Sequence, residues 1–333
     1  MRFGSVCSGI EAASVAWPFW QPAWFSEIDP FPCAVLKHHY PSVLNHGDMS
    51  TLPERILSGE VEAPDVFCGG APCQAFSVTG NRQSLKDERG NLSLTFCEVA
   101  DAIDTIRLIQ GEQPTIIFYE NVPGILSTAD NAFGCLLGKL AGESCELQPP
   151  GGKWTNAGYV HGINRTIAWR VLDAKHFGLP QRRRRLFLCA IQRNSRGIDP
   201  RKILFERKGL CRDTESRIEH QQAVNTKPAV GIPFDMLGFG QYGKGLTSST
   251  LLARDYKDAK DLVVTPDGRV RKLTPIECER LQGFPDNYTN IPWRNKSESP
   301  DWARYKAIGN SWAVPVVRWI GERINNQQGN TNE

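Results

Sequence analysis

The sequence predicts an α/β protein: a doubly wound, mostly parallel sheet covered by helices, with a smaller, irregular second domain. Three observations predict it. Short apolar runs alternate with segments of helical periodicity over about the first 190 residues, the pattern of strands joined by helical crossovers. From about Gln192 to Val264 the alternation dissolves into Gly, Pro, Ser, Thr and charged residues, as in Phe239-Gly240-Gln241-Tyr242-Gly243-Lys244-Gly245. Helical order then returns at Thr274-Pro275-Ile276-Glu277, which places a cap residue, a proline at the first helical position and a glutamate at the third.

Phe3 to Cys7 reads as the first strand, followed by a Ser8-Gly9 turn and a helix from Ile10 to Trp17. Ala23 to Ile28 is the second strand and Asp65 to Cys68 a later one. Leu92 to Gln110 carries apolar residues at 92, 96, 99, 103 and 106, one face of a helix. Thr115 to Tyr119, rich in β-branched and aromatic residues, is a buried central strand, and Leu186 to Ile191 follows the arginine run as another. Residues 1–191, completed by 303–324, therefore form the larger domain. Residues 192–302, including a helix within 271–285, form the smaller one, and 325–333, which lack apolar content, are expected to be a disordered tail.

A chain of 333 residues with 40% hydrophobic content can bury the cores of two domains. Its apolar runs, such as Ile116 to Tyr119, fall far short of the ~18 residues that cross a bilayer. The start MRFGSVCSGIEAAS lacks the charged-then-apolar order of a signal peptide, so a cytoplasmic protein without membrane attachment is expected. Ten cysteines contain no C-x-x-C pair, which argues against a disulfide framework or a metal site. Most are expected to be small buried hydrophobes. The net charge is only +3, yet Arg165 to Arg212 holds 14 Lys and Arg against three carboxylates. A polyanionic partner is a live reading of that concentration, beside a solvated face.

In an open parallel sheet, ligands bind beyond the carboxyl ends of the strands. After the first strand come Cys7-Ser8-Gly9-Ile10-Glu11, after the second Glu27 and Asp29, and further on Gly47-Asp48-Met49. Few glycines and several carboxylates suit a nucleoside better than a phosphate, for which backbone donors would be needed. Gly69-Gly70-Ala71-Pro72-Cys73-Gln74 then lifts a cysteine onto a loop at the same edge, and a thiolate there is a nucleophile. Glu120-Asn121-Val122-Pro123 puts a carboxyl beside that loop if the two strands are neighbours. In Gln181-Arg182-Arg183-Arg184-Arg185, an extended backbone sets Arg183 and Arg185 on one face and Arg182 and Arg184 on the other.

These residues, in this order, carry a resemblance. GGAPCQAFS, ENV, QRRRR and the closing Gly309-Asn310-Ser311 resemble the ordered motifs of the DNA (cytosine-5) methyltransferase family, of bacteriophage, prophage or bacterial type. SGIEAAS, RKLTPIECERLQGFP and RYKAIGNSWAVP are similar to its remaining blocks. The resemblance implies a Rossmann-like fold dependent on S-adenosylmethionine, residues 192–264 being the variable target-recognition region. It implies that Cys73 adds to carbon 6 of cytosine, Glu120 is the acid at ring nitrogen 3, and Asn121 positions the loop. By the same analogy Arg185 holds the base, while Arg183 orders the cysteine loop or a phosphate.

For the cofactor, the resemblance implies contacts from Cys7, Ser8, Gly9, Ile10, Glu27, Ile28, Asp48, Met49, Pro72, Leu92, Asn310 and Trp312, with no metal. Three positions depart from the family pattern: Cys7 stands where an aromatic is expected, Glu11 where a second glycine is expected, and Trp312 is bulkier than usual. The implied partner is double-stranded DNA, bound by a monomer that flips its target cytosine out of the duplex. Phe76 to Arg89 is a candidate lid over that base. Gln74, Ser77, Thr79, Arg82 and Arg89, with Lys244 and Arg254, are candidate DNA contacts. Two other readings stay open: a tRNA cytosine methyltransferase and a catalytically silent DNA-binding homologue. The phage-like version is read as a modification enzyme that masks DNA from host restriction, its target sequence and any restriction partner being unassigned.

Overall fold

The computed structural model describes residues 1–71, 91–193, 195, 197–206, 232–238, 241–244, 247–255, 257, 262–264 and 269–329. One sheet holds eight strands: β1 (Arg2–Val6), β2 (Gln21–Ser26), β3 (Leu44–Asn45), β4 (Val66–Gly69), β5 (Ile116–Asn121), β6 (Ala157–His161), β7 (Arg165–Asp173) and β8 (Arg184–Gln192). Across the sheet they lie in the order β3-β2-β1-β4-β5-β8-β7-β6. The first five are parallel and the last three antiparallel. The chain leaves β1 towards β2 on one side and returns on the other as β4, so the strand order reverses between β1 and β4. A crevice opens at such a point.

Helices α1 (Ala12–Ala16), α2 (Pro30–His39), α3 (Leu52–Leu57), α4 (Asn91–Ile109) and α5 (Ala132–Ala141) accompany the strands. Burial on both faces explains the continuous apolar character of β4 and β5. Alternate residues of β5 enter two cores: Ile116 and Phe118 one, Ile117 and Tyr119 the other. Trp17, fully buried, packs edge-on against Phe3 and Phe118 at 5.4 and 5.7 Å between ring centres. Truncating such a ring to alanine costs ~3–5 kcal/mol.

The antiparallel direction of β8 matters most for function. It sets Glu120 opposite Phe187 and Asn121 opposite Leu186, so the start of β8, with its arginines, meets the carboxyl end of β5. The hairpin of β6 and β7 is absent from the sequence reading because β6 alternates exposed and half-exposed residues and β7 begins with an arginine.

Three expectations about the second half change. From the stretch read as irregular and the residues just after it, a four-stranded antiparallel sheet forms: β9 (Ile232–Gly238), β10 (Gln241–Lys244), β11 (Leu262–Val264) and β12 (Val270–Lys272), ordered β10-β9-β11-β12. Three of its strands have only three or four residues, too few to show a period.

After α6 (Pro200–Leu204), helix α7 (Pro275–Gln282) has the expected capping box, with the Thr274 hydroxyl accepting from the Glu277 N–H and the Glu277 carboxylate accepting from the Thr274 N–H at 2.7 Å. The sequence reading put α7 in the smaller domain, but Cys278, Phe284, Tyr288 and Ile291 share one buried cluster with Phe3 and Ile10, and the Tyr288 hydroxyl donates to the Ile10 carbonyl at 3.0 Å. Helical periodicity announces an apolar face without saying which core receives it.

The last two helices are α8 (Asp301–Asn310) and α9 (Val314–Gly329). The expected disordered tail from Asn325 is instead the end of α9 as far as Gly329. Trp20 Nε1 donates to Asn325 Oδ1 at 3.3 Å and the Asp199 N–H to Gln327 Oε1 at 2.9 Å. Polar anchoring, invisible to a count of apolar residues, holds this turn. Residues 330–333 lie outside the described residues. Among the described residues, no helix is long and apolar enough to cross a membrane.

Candidate active site

A cavity of about 730 Å³ opens beyond the carboxyl ends of β1, β2, β4 and β5, within the ~300–1,000 Å³ of typical small-molecule sites. Of the residues singled out in the sequence, Cys7, Gly9, Glu27, Ile28, Asp48, Met49, Leu92, Glu120, Asn121, Arg183, Arg185 and Asn310 line it. Ser8 and Trp312 line a small adjoining pocket with Glu11 and Ser311. Ile10 does not reach the cavity. It lies in the turn before α1, which starts at Ala12 and not at Ile10 as expected, and its side chain is fully buried in the core.

The first loop shows why its sequence is unusual. Cys7 and Glu11 have φ of 50° and 62°, the left-handed region that a side chain adopts at a cost of ~1–3 kcal/mol. At Glu11 the strain is offset by hydrogen bonds, since its carboxylate accepts from Ser5 Oγ at 2.8 Å and from the Ser14 N–H at 3.2 Å, capping α1. Burial pushes the Glu11 carboxyl up to about 7, against those two bonds. Burial, aided by the charges of Glu27 and Asp48, pushes the Cys7 thiol up to about 12. Cys7 is therefore a thiol, not a thiolate, at neutral pH.

Glu27 ends the turn after β2 by accepting the N–H groups of Gly9, Ile28 and Asp29, each at 2.8 Å. Asp48 is exposed and caps a short 3₁₀ turn through the Ser50 N–H at 2.9 Å. Sequence reasoning missed another wall of the cavity. Phe31, Trp293, Arg294, Trp302 and Lys306 also line it, with the Trp293 ring edge-on to Phe31 at 5.2 Å and the Arg294 guanidinium 4.2 Å above it. Two tryptophans within ten residues of an aperiodic segment were the available signal.

At the other end lies Glu120, whose side chain is only 12% exposed. Its Oε1 is 3.1 Å from Arg185 Nε, and its Oε2 accepts from Trp312 Nε1 at 3.1 Å. Burial raises the Glu120 carboxyl above its ordinary value, while Arg185, Arg183 and the Trp312 N–H oppose the rise. Burial also pulls the Arg185 guanidinium down, with Glu120 opposing. Asn121 ties β5 to the loop leaving β4, donating from Nδ2 to the Ala71 carbonyl at 3.1 Å and to the Tyr119 hydroxyl at 2.7 Å.

Arg183 faces the cavity with Arg185, as the alternation predicts, but its contacts are those of a clamp. Its Nη1 donates to the Leu251 carbonyl at 3.0 Å, and its Nη2 to the Gly309 and Ser311 carbonyls at 2.9 and 2.6 Å. Burial, reinforced by the like charge of Arg185, pulls its guanidinium down to about 9. The backbones it joins are close enough that a Cβ on Gly309 would sit 2.5 Å from the Ala253 nitrogen, so only glycine fits there.

Pro72, Cys73, Gln74, Ser77, Thr79, Arg82 and Arg89, and with them the candidate lid, lie outside the described residues, as does the side chain of Lys244. Arg254 is exposed on a turn away from the cavity lining. Among the described residues, no group of His, Cys, Asp and Glu could hold a metal ion.

An open α/β sheet with a cavity at its switch point, carboxylates at one end and a buried carboxyl between Arg185 and Trp312 at the other, is a Rossmann-like fold of the kind that S-adenosylmethionine-dependent methyltransferases share. The chain matches the C-5 cytosine-specific DNA methylase family over residues 1–231 and 239–326, and it belongs to that family. It is 37% identical to a protein of Escherichia phage P1 named DNA N-6-adenine-methyltransferase, across 97% of this chain and 61% of that one. The chain thus spans about three fifths of that relative's length. It is 29% identical to the type II methyltransferase M1.ScrFI of Lactococcus lactis subsp. cremoris, across 90% of this chain and 70% of that protein. Its fold is similar to that of the S. pombe Dnmt2 methyltransferase, with a TM-score of 0.66, 17% identity and 98% of each chain covered.

Proposed function

We propose that this protein transfers a methyl group from S-adenosylmethionine to carbon 5 of a flipped-out cytosine in a short specific sequence of duplex DNA. The observation that carries the reading is Glu120: a buried carboxyl at the cavity, its proton affinity raised, next to the β4 loop that leads through Gly70 and Ala71 to Cys73.

The cavity fits the methyl donor. Glu27 and Asp48 accept hydrogen bonds, as a ribose diol requires, and their charge disfavours a phosphate. The donor supplies an electrophilic methyl, and the protein must make a weak nucleophile of cytosine. Cys73, as thiolate, forms a bond to carbon 6, and the ring's electron pair moves towards carbon 5. Glu120 relieves the developing negative charge by giving a proton at ring nitrogen 3, for which its raised proton affinity suits it. Arg185, beside Glu120, is placed to hold the base through its carbonyl oxygen. Carbon 5 takes the methyl, leaving S-adenosylhomocysteine, and loses its proton to a base; the cysteine is expelled as thiolate and the Glu120 carboxylate takes back the proton from ring nitrogen 3. The basic residues of 193–212, with Lys244 and Arg254, fix register on phosphates, which supports affinity and not sequence choice.

The test is nucleoside analysis of duplex DNA and of tRNA after incubation with purified full chain and labelled donor. Label in 5-methylcytosine of DNA is the expected result. Label in N6-methyladenine, the product in the phage P1 relative's name, or label in tRNA with DNA untouched, overturns the proposal.

A further inference from the structure

We propose that Trp312 is a positioning residue for Glu120, its indole N–H fixing one carboxyl oxygen so that the other is turned to Arg185 and the base. The inference rests on the reading of Glu120 as the acid of cytosine methylation. Its geometry stands independently. Trp312 Nε1 lies 3.1 Å from Glu120 Oε2, and no other described residue donates to that oxygen. Arg185 Nε lies 3.1 Å from Oε1. Indole N–H and guanidinium are donors only; the indole holds Oε2 by a hydrogen bond while Arg185 faces Oε1 as an ion pair, so a rotated carboxyl loses the indole bond.

The indole is itself held. It meets Phe118 edge-on, at 5.3 Å between ring centres and 79° between planes, and Phe118 is two residues before Glu120, on the same face of β5. On the other side a Cβ at Gly70 would come within 3.0 Å of the Glu120 carbonyl oxygen, 3.1 Å of Oε2 and 3.5 Å of Trp312 Nε1. The absence of that carbon lets the pair sit against the β4 loop. The carbonyl of Ser311, the residue before Trp312, is gripped by Arg183. The clamp on the α8–α9 turn therefore delivers the indole to the carboxyl, and Arg183 acts on Glu120 through Trp312 as well as by its charge.

The experiment has two parts. In the wild type, the indole ¹H–¹⁵N shift of Trp312 should titrate with the Glu120 carboxyl and become flat in Glu120→Gln; a wild-type shift that ignores pH overturns the proposal without any variant having to fold. Trp312→Phe keeps a ring on Phe118 and removes the N–H. It should lower single-turnover methyl transfer about tenfold, the usual order for one hydrogen bond to a charged group, with KM for donor and DNA little changed. Arg185 and Arg183 remain the charges facing Glu120. Loss of a donor to the ionised form raises the carboxyl's proton affinity, so the limb at which activity is lost with rising pH should move to higher pH. In a Glu120→Gln background the same substitution should have little further effect. Unchanged rate and pH profile in Trp312→Phe, or full additivity with Glu120→Gln, overturns the proposal. Absence of 5-methylcytosine in the wild-type reaction instead overturns the reading of the site, and the shift titration still decides the pairing.

Discussion

The Arg183 guanidinium donates to the carbonyl of Ser311, 128 residues further along the chain, at 2.6 Å. With Leu251 and Gly309 as its other acceptors, it joins the start of β8, the 251 segment and the α8–α9 turn through one planar group. A lysine at 183 keeps the charge and loses the fork, leaving at least one buried carbonyl without a donor. Arg183→Lys should cost ~1–3 kcal/mol in urea unfolding and reduce methyl transfer. Stability within ~0.5 kcal/mol of wild type would show that the clamp is dispensable.

Glu120→Gln removes the titrating proton while keeping the side chain's size. Methyl transfer should fall by ~10²–10⁴, the range of general acid catalysis, with the melting curve retained. On the proposed role the protonated carboxyl is the active form, and burial raises its proton affinity. The rate constant for transfer should thus decline as pH rises through that raised value. A rate that instead increases across the same range would assign Glu120 a purely ionic role.

How far the sequence goes is clear at β8. A period of two is a property of the strand alone, so the common face of Arg183 and Arg185 was legible in QRRRR. What each arginine touches depends on chain segments 68 and more residues away, and on β8 running antiparallel to β5, neither of which the run encodes. The same holds for Trp312, which reads in sequence as an oversized residue and finds its partner 192 residues earlier. Capping is local, and the box at Thr274 and Glu277 was legible for that reason. The departure at Glu11 was visible as a missing glycine, but its left-handed backbone and its bonds to Ser5 and Ser14 were not.

Glu11 should make the fold pH-dependent. Its carboxyl is buried and its proton affinity is raised from the ordinary 4.5 to about 7, so the folded chain binds more protons than the unfolded one between those values. Stability is then greatest at the acid end of the window and is lost as pH rises from about 4.5 through about 7. At ~1.4 kcal/mol per pH unit the loss is on the order of 3 kcal/mol. Urea midpoints at pH 5 and pH 7.5 should show it, and Glu11→Gln should flatten it. An equal slope in the glutamine variant would place the titrating group elsewhere.

Two cysteines near the same cavity edge in sequence should differ completely in reactivity. The Cys7 thiol, pushed up to about 12 by burial and by Glu27 and Asp48, is un-ionised at pH 7.5, and its neighbours are carboxylates rather than cations. Cys73 follows the β4 loop that Asn121 ties down at Ala71. Duplex DNA carrying 5-fluorocytosine at the target lacks a removable proton at carbon 5, so the enzyme should be trapped as a covalent adduct once the methyl has been transferred. That adduct should survive denaturation in the wild type and in Cys7→Ser and vanish in Cys73→Ser, with DNA binding retained in all three. An adduct in Cys73→Ser, or its loss in a folded Cys7→Ser that still binds the methyl donor, would move the nucleophile to another residue.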